Sequence, residues 1–155
     1  MSISTPATRF LDLHSIPYQI FEHPVPPFSI QQAARERGQT PEQVVRSILF
    51  RYDKKSFFMT LVAGPGQISW RKLRAYLGIT RISMATEDEV LSVTGDEVGT
   101  VSPLGLLHPV RILGDNKIFT LDEISIGSGL KGVAIIMKSA GLRLALGEIE
   151  IGQFC

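Results

Sequence analysis

The sequence predicts an α+β fold, with helices packed against a mixed, largely antiparallel sheet. Three observations predict it. Helix-start patterns recur along the chain, short β-branched or aromatic runs fall between them, and 14 Gly and 9 Pro in 155 residues supply the turns that join short elements. Hydrophobic residues make up 44% and charged residues 20%, enough apolar material for one core in a chain of this length. A single compact domain over residues 1–155 is expected, because no repeat, low-complexity tract or linker interrupts the pattern.

The elements follow in order. Ser4 or Thr5 caps a first helix, with Pro6 in its first turn and Ile16-Pro17 at its end. Tyr18, Ile20 and Phe21 read as extended, and His23-Pro24-Val25-Pro26-Pro27 as a stiff loop, since each proline restricts the residue before it. Ser29-Ile30-Gln31-Gln32 matches a capping box and opens a helix that runs to Gly38. Thr40-Pro41-Glu42-Gln43 repeats the signal for one turn, after which the β-branched run Val45–Tyr52 predicts a strand. Asp53-Lys54-Lys55 is a polar turn, and Phe57–Ala63 completes an antiparallel hairpin.

Gly64-Pro65-Gly66 breaks the chain before a helix capped by Ser69, which carries Leu73, Tyr76 and Leu77 and stops at Gly78. A short strand is expected near Arg81–Met84. Thr86-Glu87-Asp88-Glu89 opens a helix ending near Thr94-Gly95. Strands are expected at Val110–Leu113, Glu123–Ile126 and Val133–Met137. Ser139 is the expected cap of a last short helix, and Glu148–Ile151 reads as extended.

Several function classes are disfavoured. Lys plus Arg number 16 and Asp plus Glu 15, so a net charge of +1 argues against coating nucleic acid by bulk charge, though not against a local basic patch. The only cysteine, Cys155, has no internal partner for a disulfide, and as the last residue it lacks the tail of a prenylation signal. Met1–Phe10 shows no secretory pattern, and no apolar run approaches about 20 residues. A cytoplasmic protein that makes no use of the membrane is expected.

The chemistry-bearing motifs admit more than one reading. Gly127-Ser128-Gly129-Leu130-Lys131-Gly132 spells GxGxxG, but the following Val133–Met137 favours a strand, where a dinucleotide site needs a helix. A hairpin turn, or a loop whose amides line a pocket, fits that context better. His14, His23 and His108 form no metal-ligand spacing, so no metal is expected. No GxSxG elbow occurs, and neither Ser102 nor Ser128 has a base nearby in sequence. Alternation places Arg46 on one face with Ile48 and Phe50; it is either solvated, or a charge on an apolar face that must bind something. Gly99-Thr100-Val101-Ser102-Pro103-Leu104-Gly105 is either a structural turn or a loop presenting amide donors to a carbonyl.

Four features together, in this order, resemble a known family: Thr5-Pro6-Ala7 with Ile16-Pro17-Tyr18 and Glu22-His23; Val44-Val45-Arg46-Ser47-Ile48-Leu49-Phe50; Thr94-Gly95 followed by Gly99–Gly105; and Ser128-Gly129-Leu130-Lys131-Gly132. The chain resembles, over nearly its whole length, the YbaK/ProX family of aminoacyl-tRNA deacylases, related to the editing domain inserted in bacterial prolyl-tRNA synthetases. The resemblance implies a curved, mostly antiparallel sheet and trans-editing of mischarged tRNA, most often tRNA(Pro) carrying Cys or Ala. The implied partners are the tRNA 3′ end and prolyl-tRNA synthetase, and no cofactor is implied.

The resemblance also implies a substrate-assisted mechanism. Arg46 would anchor a phosphate or ribose, with Gly99, Ser102 and Pro103 forming the catalytic loop that faces the ester carbonyl. Phe21, His23, Phe28, Ser47, Thr100, Val101, Gly105, Ser128 and Gly129 would border the substrate. Many deacylating members carry lysine where this chain has Arg46. The alternative within the same fold is a catalytically degenerate module that binds tRNA, a synthetase or a nucleotide.

Overall fold

A computed structural model describes residues 3–155; Met1 and Ser2, which the reading of a missing leader takes in, lie outside it. Five helices and eight strands follow the expected order. Helix α1, Pro6–Leu13, starts at Thr5, whose hydroxyl accepts from the Thr8 N–H while the Thr8 hydroxyl accepts from the Thr5 N–H. Helix α2, Ile30–Arg37, has Ser29 as its cap and Gly38 in the left-handed region as its stop. The returning half of its capping box reaches one residue further back than expected, since Gln32 accepts from the Phe28 N–H at 2.9 Å. Helices α3, Trp70–Leu77, and α4, Glu87–Thr94, start on Ser69 and Thr86 and end on left-handed Gly78 and Gly95.

Helix α5, Ser139–Leu146, departs from expectation at its cap. Lys138 is the capping residue, and the Ser139 hydroxyl instead donates to the Leu121 carbonyl, tying the helix to the preceding turn. A 3-10 segment at Asn116–Thr120 was not anticipated; Asp115 caps it by accepting from the Lys117 N–H.

The strands divide into two sheets. The first orders β1 (Gln19–Glu22), β7 (Val133–Lys138) and β6 (Glu123–Gly127), all antiparallel. The second orders β4 (Ser83–Met84), β2 (Val45–Arg51), β3 (Phe57–Ala63), β5 (Arg111–Asp115) and β8 (Glu150–Gly152). Its β2–β3 hairpin is antiparallel as expected, whereas β3–β5 and β5–β8 are parallel. One parallel bridge, Val44 to Ser125, joins the sheets.

Two cores explain the apolar run of β3. Met59, Leu61 and Ala63 face a larger core with Leu11, Val45, Leu49, Ile124, Ile126, Ile135 and Leu142. Phe58 faces a second core with Phe50, Leu73, Leu113 and Phe154, covered by α3. A strand buried on both faces loses the polar alternation of a half-exposed one. Among the described residues no helix is long and apolar enough to cross a membrane.

Candidate active site

A cavity of about 640 Å³ opens where the two sheets meet. Its walls come from the loop after β1, from α2, from the start of β2, from the loop after α4 and from the β6–β7 turn. Seven of the residues that the resemblance assigns to catalysis or to the substrate border line it: His23, Phe28, Arg46, Ser47, Gly99, Thr100 and Val101. Phe21, Ser102, Pro103, Gly105, Ser128 and Gly129 do not reach its surface.

Arg46 resolves its ambiguity by direct contact. Its Nε donates to the Gly64 carbonyl at 2.7 Å, and its Nη2 donates to the Gly66 carbonyl. Burial draws its pKa down and the nearby Cys155 offsets part of that, but an arginine remains charged. No carboxylate pairs with it among the described residues. Arg46 is therefore a half-buried cation on the β2 segment that lines the cavity, its guanidinium clamped to the Gly64–Gly66 turn with no carboxylate partner among the described residues. On the other face of β2, the buried Ser47 hydroxyl has no partner. An orphaned hydroxyl is costly inside a protein unless something else completes it.

The loop after α4 is held from below. Thr100 N–H donates to the Glu97 carbonyl at 3.0 Å, and Gly129 N–H donates to the Thr100 carbonyl at 2.8 Å. Ser102 is fully buried; its N–H donates to Asp96 Oδ2 at 3.1 Å and its hydroxyl accepts from the Leu104 N–H at 3.1 Å. Ser128 is buried too, with its hydroxyl donating to the Val133 carbonyl at 2.7 Å. Both serines are thus structural fasteners of the cavity's loops. The first two glycines of GxGxxG have the same character. A Cβ on Gly127 would sit 2.2 Å from the Val101 carbonyl oxygen, and one on Gly129 would sit 2.8 Å from Asp96 Oδ1.

Asp96 was not singled out in the sequence, although it stands directly after the Thr94-Gly95 helix stop. Burial pushes its carboxyl above the usual carboxylate range, against the lowering pull of the Ser102 N–H. A raised acid pKa means that folding disfavours the ionised form. The contribution of this group to stability is fullest below the ordinary carboxylate pKa and is lost as pH rises through the raised one. Asp96→Asn keeps an oxygen for Ser102 and removes the charge, so it is expected to stabilise the protein at pH 7. The gain should shrink as pH falls below about 4. Urea midpoints of both proteins at the two pH values check this, and an equal gain at both would assign the effect to something other than the charge.

His23 is also more engaged than the sequence indicated. Its ring nitrogens meet Glu36 Oε1 at 2.7 Å and Arg37 Nε at 3.0 Å. Neither Glu36 nor Arg37 was singled out. Arg37 stands seven residues after Ile30 and four after Ala33, a helical spacing that puts it on the apolar stripe and could have marked it.

Fold and site define a class: a small two-sheet α+β unit with a cation-walled cavity at the sheet junction. The chain belongs to the aminoacyl-tRNA editing domain family, whose model matches residues 26–144. Over 104 residues it is 34% identical to a proline–tRNA ligase of Kosmotoga olearia, covering 67% of this chain and 18% of the ligase. Over 111 residues it is 28% identical to that of Staphylococcus aureus, covering 72% and 19%. The chain therefore spans about a fifth of the length of these relatives at most. Its fold matches a crystal structure described as a candidate trans-editing enzyme for prolyl tRNA synthetase, with a TM-score of 0.84 and 24% identity, over 99% of this chain and 98% of that one.

Proposed function

We propose that this chain hydrolyses the ester joining a small amino acid to the 3′ end of tRNA, acting in trans in the cytoplasm on tRNA(Pro) charged with alanine or cysteine. The observation that carries this reading is that Arg46 and Ser47 of β2 and the Gly99–Val101 turn line one cavity. A synthetase site separates side chains that differ by one small group by only about 1–3 kcal/mol, so a second, smaller site is needed to restore accuracy. Ile30, Ala33, Val45 and Ile126 supply an apolar wall for a short side chain. Phe28, 93% exposed at the mouth, offers a flat face to a base of the tRNA end.

The reaction breaks the acyl C–O bond and adds water across it, giving the free amino acid and a 3′-hydroxyl. Ser102, Ser128 and His23 are all bonded internally, and the attacking oxygen is that of a water, which a ribose hydroxyl of the substrate orients. Arg46 stabilises charge developing on the ester oxygens or holds the terminal phosphate. Thr100 N–H is committed to Glu97, which leaves the amides of Gly99 and Val101 as the loop's donors to the carbonyl.

A panel of tRNA(Pro) charged with Ala, Cys, Ser and Pro tests this. Alanyl or cysteinyl ester should be cleaved well ahead of prolyl ester. If none is cleaved faster than in buffer, the enzyme reading fails. The engagement of Arg46 by two carbonyls favours one second reading, a module that binds tRNA or prolyl-tRNA synthetase without turnover. Salt-sensitive tRNA binding with no hydrolysis would select it.

A further inference from the structure

We propose that Arg37 is a positioning residue, which locks His23 in one tautomer and thereby fixes α2 as the side-chain wall of the cavity. Its effect on editing rests on the deacylase reading above; the lock itself does not.

Helix α2 has little apolar anchorage. Its eight residues bury only Ala33 and Ala34, two methyl groups. Ile30, Ala33 and Arg37 fall on one face and line the cavity, so any shift of α2 changes the room left for a substrate side chain. What holds the helix is a chain of polar contacts. Arg37 Nε donates to His23 Nε2 at 3.0 Å, which requires a lone pair on that nitrogen. The ring proton then sits on Nδ1 and donates to Glu36 Oε1 at 2.7 Å. The opposite tautomer would set two N–H groups against each other and a lone pair against a carboxylate.

The His23 side chain is fully buried, so water cannot relieve that mismatch. Its main-chain N–H is fixed as well, donating to the Gly132 carbonyl at 2.8 Å. On the far side, Arg37 Nη1 donates to Ser125 Oγ at 2.8 Å, and Ser125 donates to Gln39 Oε1 at 2.8 Å. Gln32 joins the near side by donating to Glu36 Oε2 at 2.9 Å. Arg37 therefore ties α2 to the loop after β1 through His23, and to β6 through Ser125. The residues that follow Ser125, Ile126 and Gly127, form the facing wall of the same cavity.

Imidazole nitrogen NMR of the free protein, amide hydrogen exchange and deacylation kinetics test this on Arg37→Ala and Arg37→Gln. Glutamine places an amide N–H where arginine has Nε, so it keeps the bond to His23 and loses only the one to Ser125. The wild type should show the Nδ1–H tautomer. Arg37→Ala should mix the tautomers and speed exchange of the α2 amides about tenfold, the scale of one charge-assisted hydrogen bond, while β3 exchange stays unchanged. The same variant should raise KM about tenfold with a smaller change in kcat, and narrow the preference for short side chains. Arg37→Gln should restore the tautomer and most of KM. An Nε2–H tautomer in the wild type, or α2 exchange indifferent to Arg37→Ala, overturns the proposal. If tautomer and exchange behave as stated while no ester is cleaved, the lock stands and the deacylase reading falls.

Discussion

Arg46→Ala is expected to lower ester hydrolysis about 100-fold, the usual effect of removing one preorganised charge-stabilising donor from an active site. The alanine variant loses the only cation among the β2 residues that line the cavity. It also leaves the Gly64 and Gly66 carbonyls without their donor, which costs on the order of 1–3 kcal/mol where those groups stay dry. Stability and activity must therefore be read together. A thermal melt separates a folded, inactive variant from an unfolded one.

Arg46→Lys is the informative partner. Lysine keeps the charge but has one nitrogen for two carbonyls, so it gives up the fork that clamps the turn. Activity within about tenfold of the wild type would mean that charge is what the site needs from this position. A loss as deep as that of alanine would mean that the forked clamp sets the geometry. Full activity in the alanine variant would remove Arg46 from the site.

The parts legible in the sequence are those decided locally. Thr5 with Thr8, Ser29 with Gln32, Ser69 with Lys72 and Thr86 with Glu89 close their caps within three residues, so the helix starts could be read directly. The β2–β3 hairpin is likewise joined by a short turn. The division into two sheets was not legible, because the parallel pairs β3–β5 and β5–β8 are chosen by contacts distant in sequence.

Arg46 stayed ambiguous for a related reason. Both faces of β2 are buried, Leu49 in one core and Phe50 in the other, so alternation cannot say which face is inside. The supports of the site were the least visible. Asp96, Arg37 and Gly127 act on partners brought close only by the fold: helical spacing puts Arg37 on the apolar stripe and GxGxxG draws the eye to Gly127, but neither pattern names the partner.

Gly127→Ala is expected to be the most damaging small substitution in the cavity. The added Cβ would lie 2.2 Å from the Val101 carbonyl oxygen, 2.8 Å from that of Thr100 and 2.9 Å from the Val101 carbonyl carbon. All three are backbone atoms, so no side chain can swing aside. Either β6 or the Gly99–Pro103 loop must move, and Gly129 N–H holds that loop through Thr100 at 2.8 Å. Overpacking of this kind costs about 3 kcal/mol. For a chain of this size that lowers the melting temperature by about 6–12 °C.

A displacement of the loop by about 1 Å would also remove about 100-fold of activity even in the fraction that stays folded. Gly99→Ala is the control. Its φ of +91° strains any side chain, but nothing lies within 4 Å of the added carbon, so its cost is confined to about 1 kcal/mol of backbone strain. If Gly127→Ala melts with the wild type, the two loops are not in the contact described, and the glycine-rich turn loses its role as the floor under the Gly99–Pro103 loop.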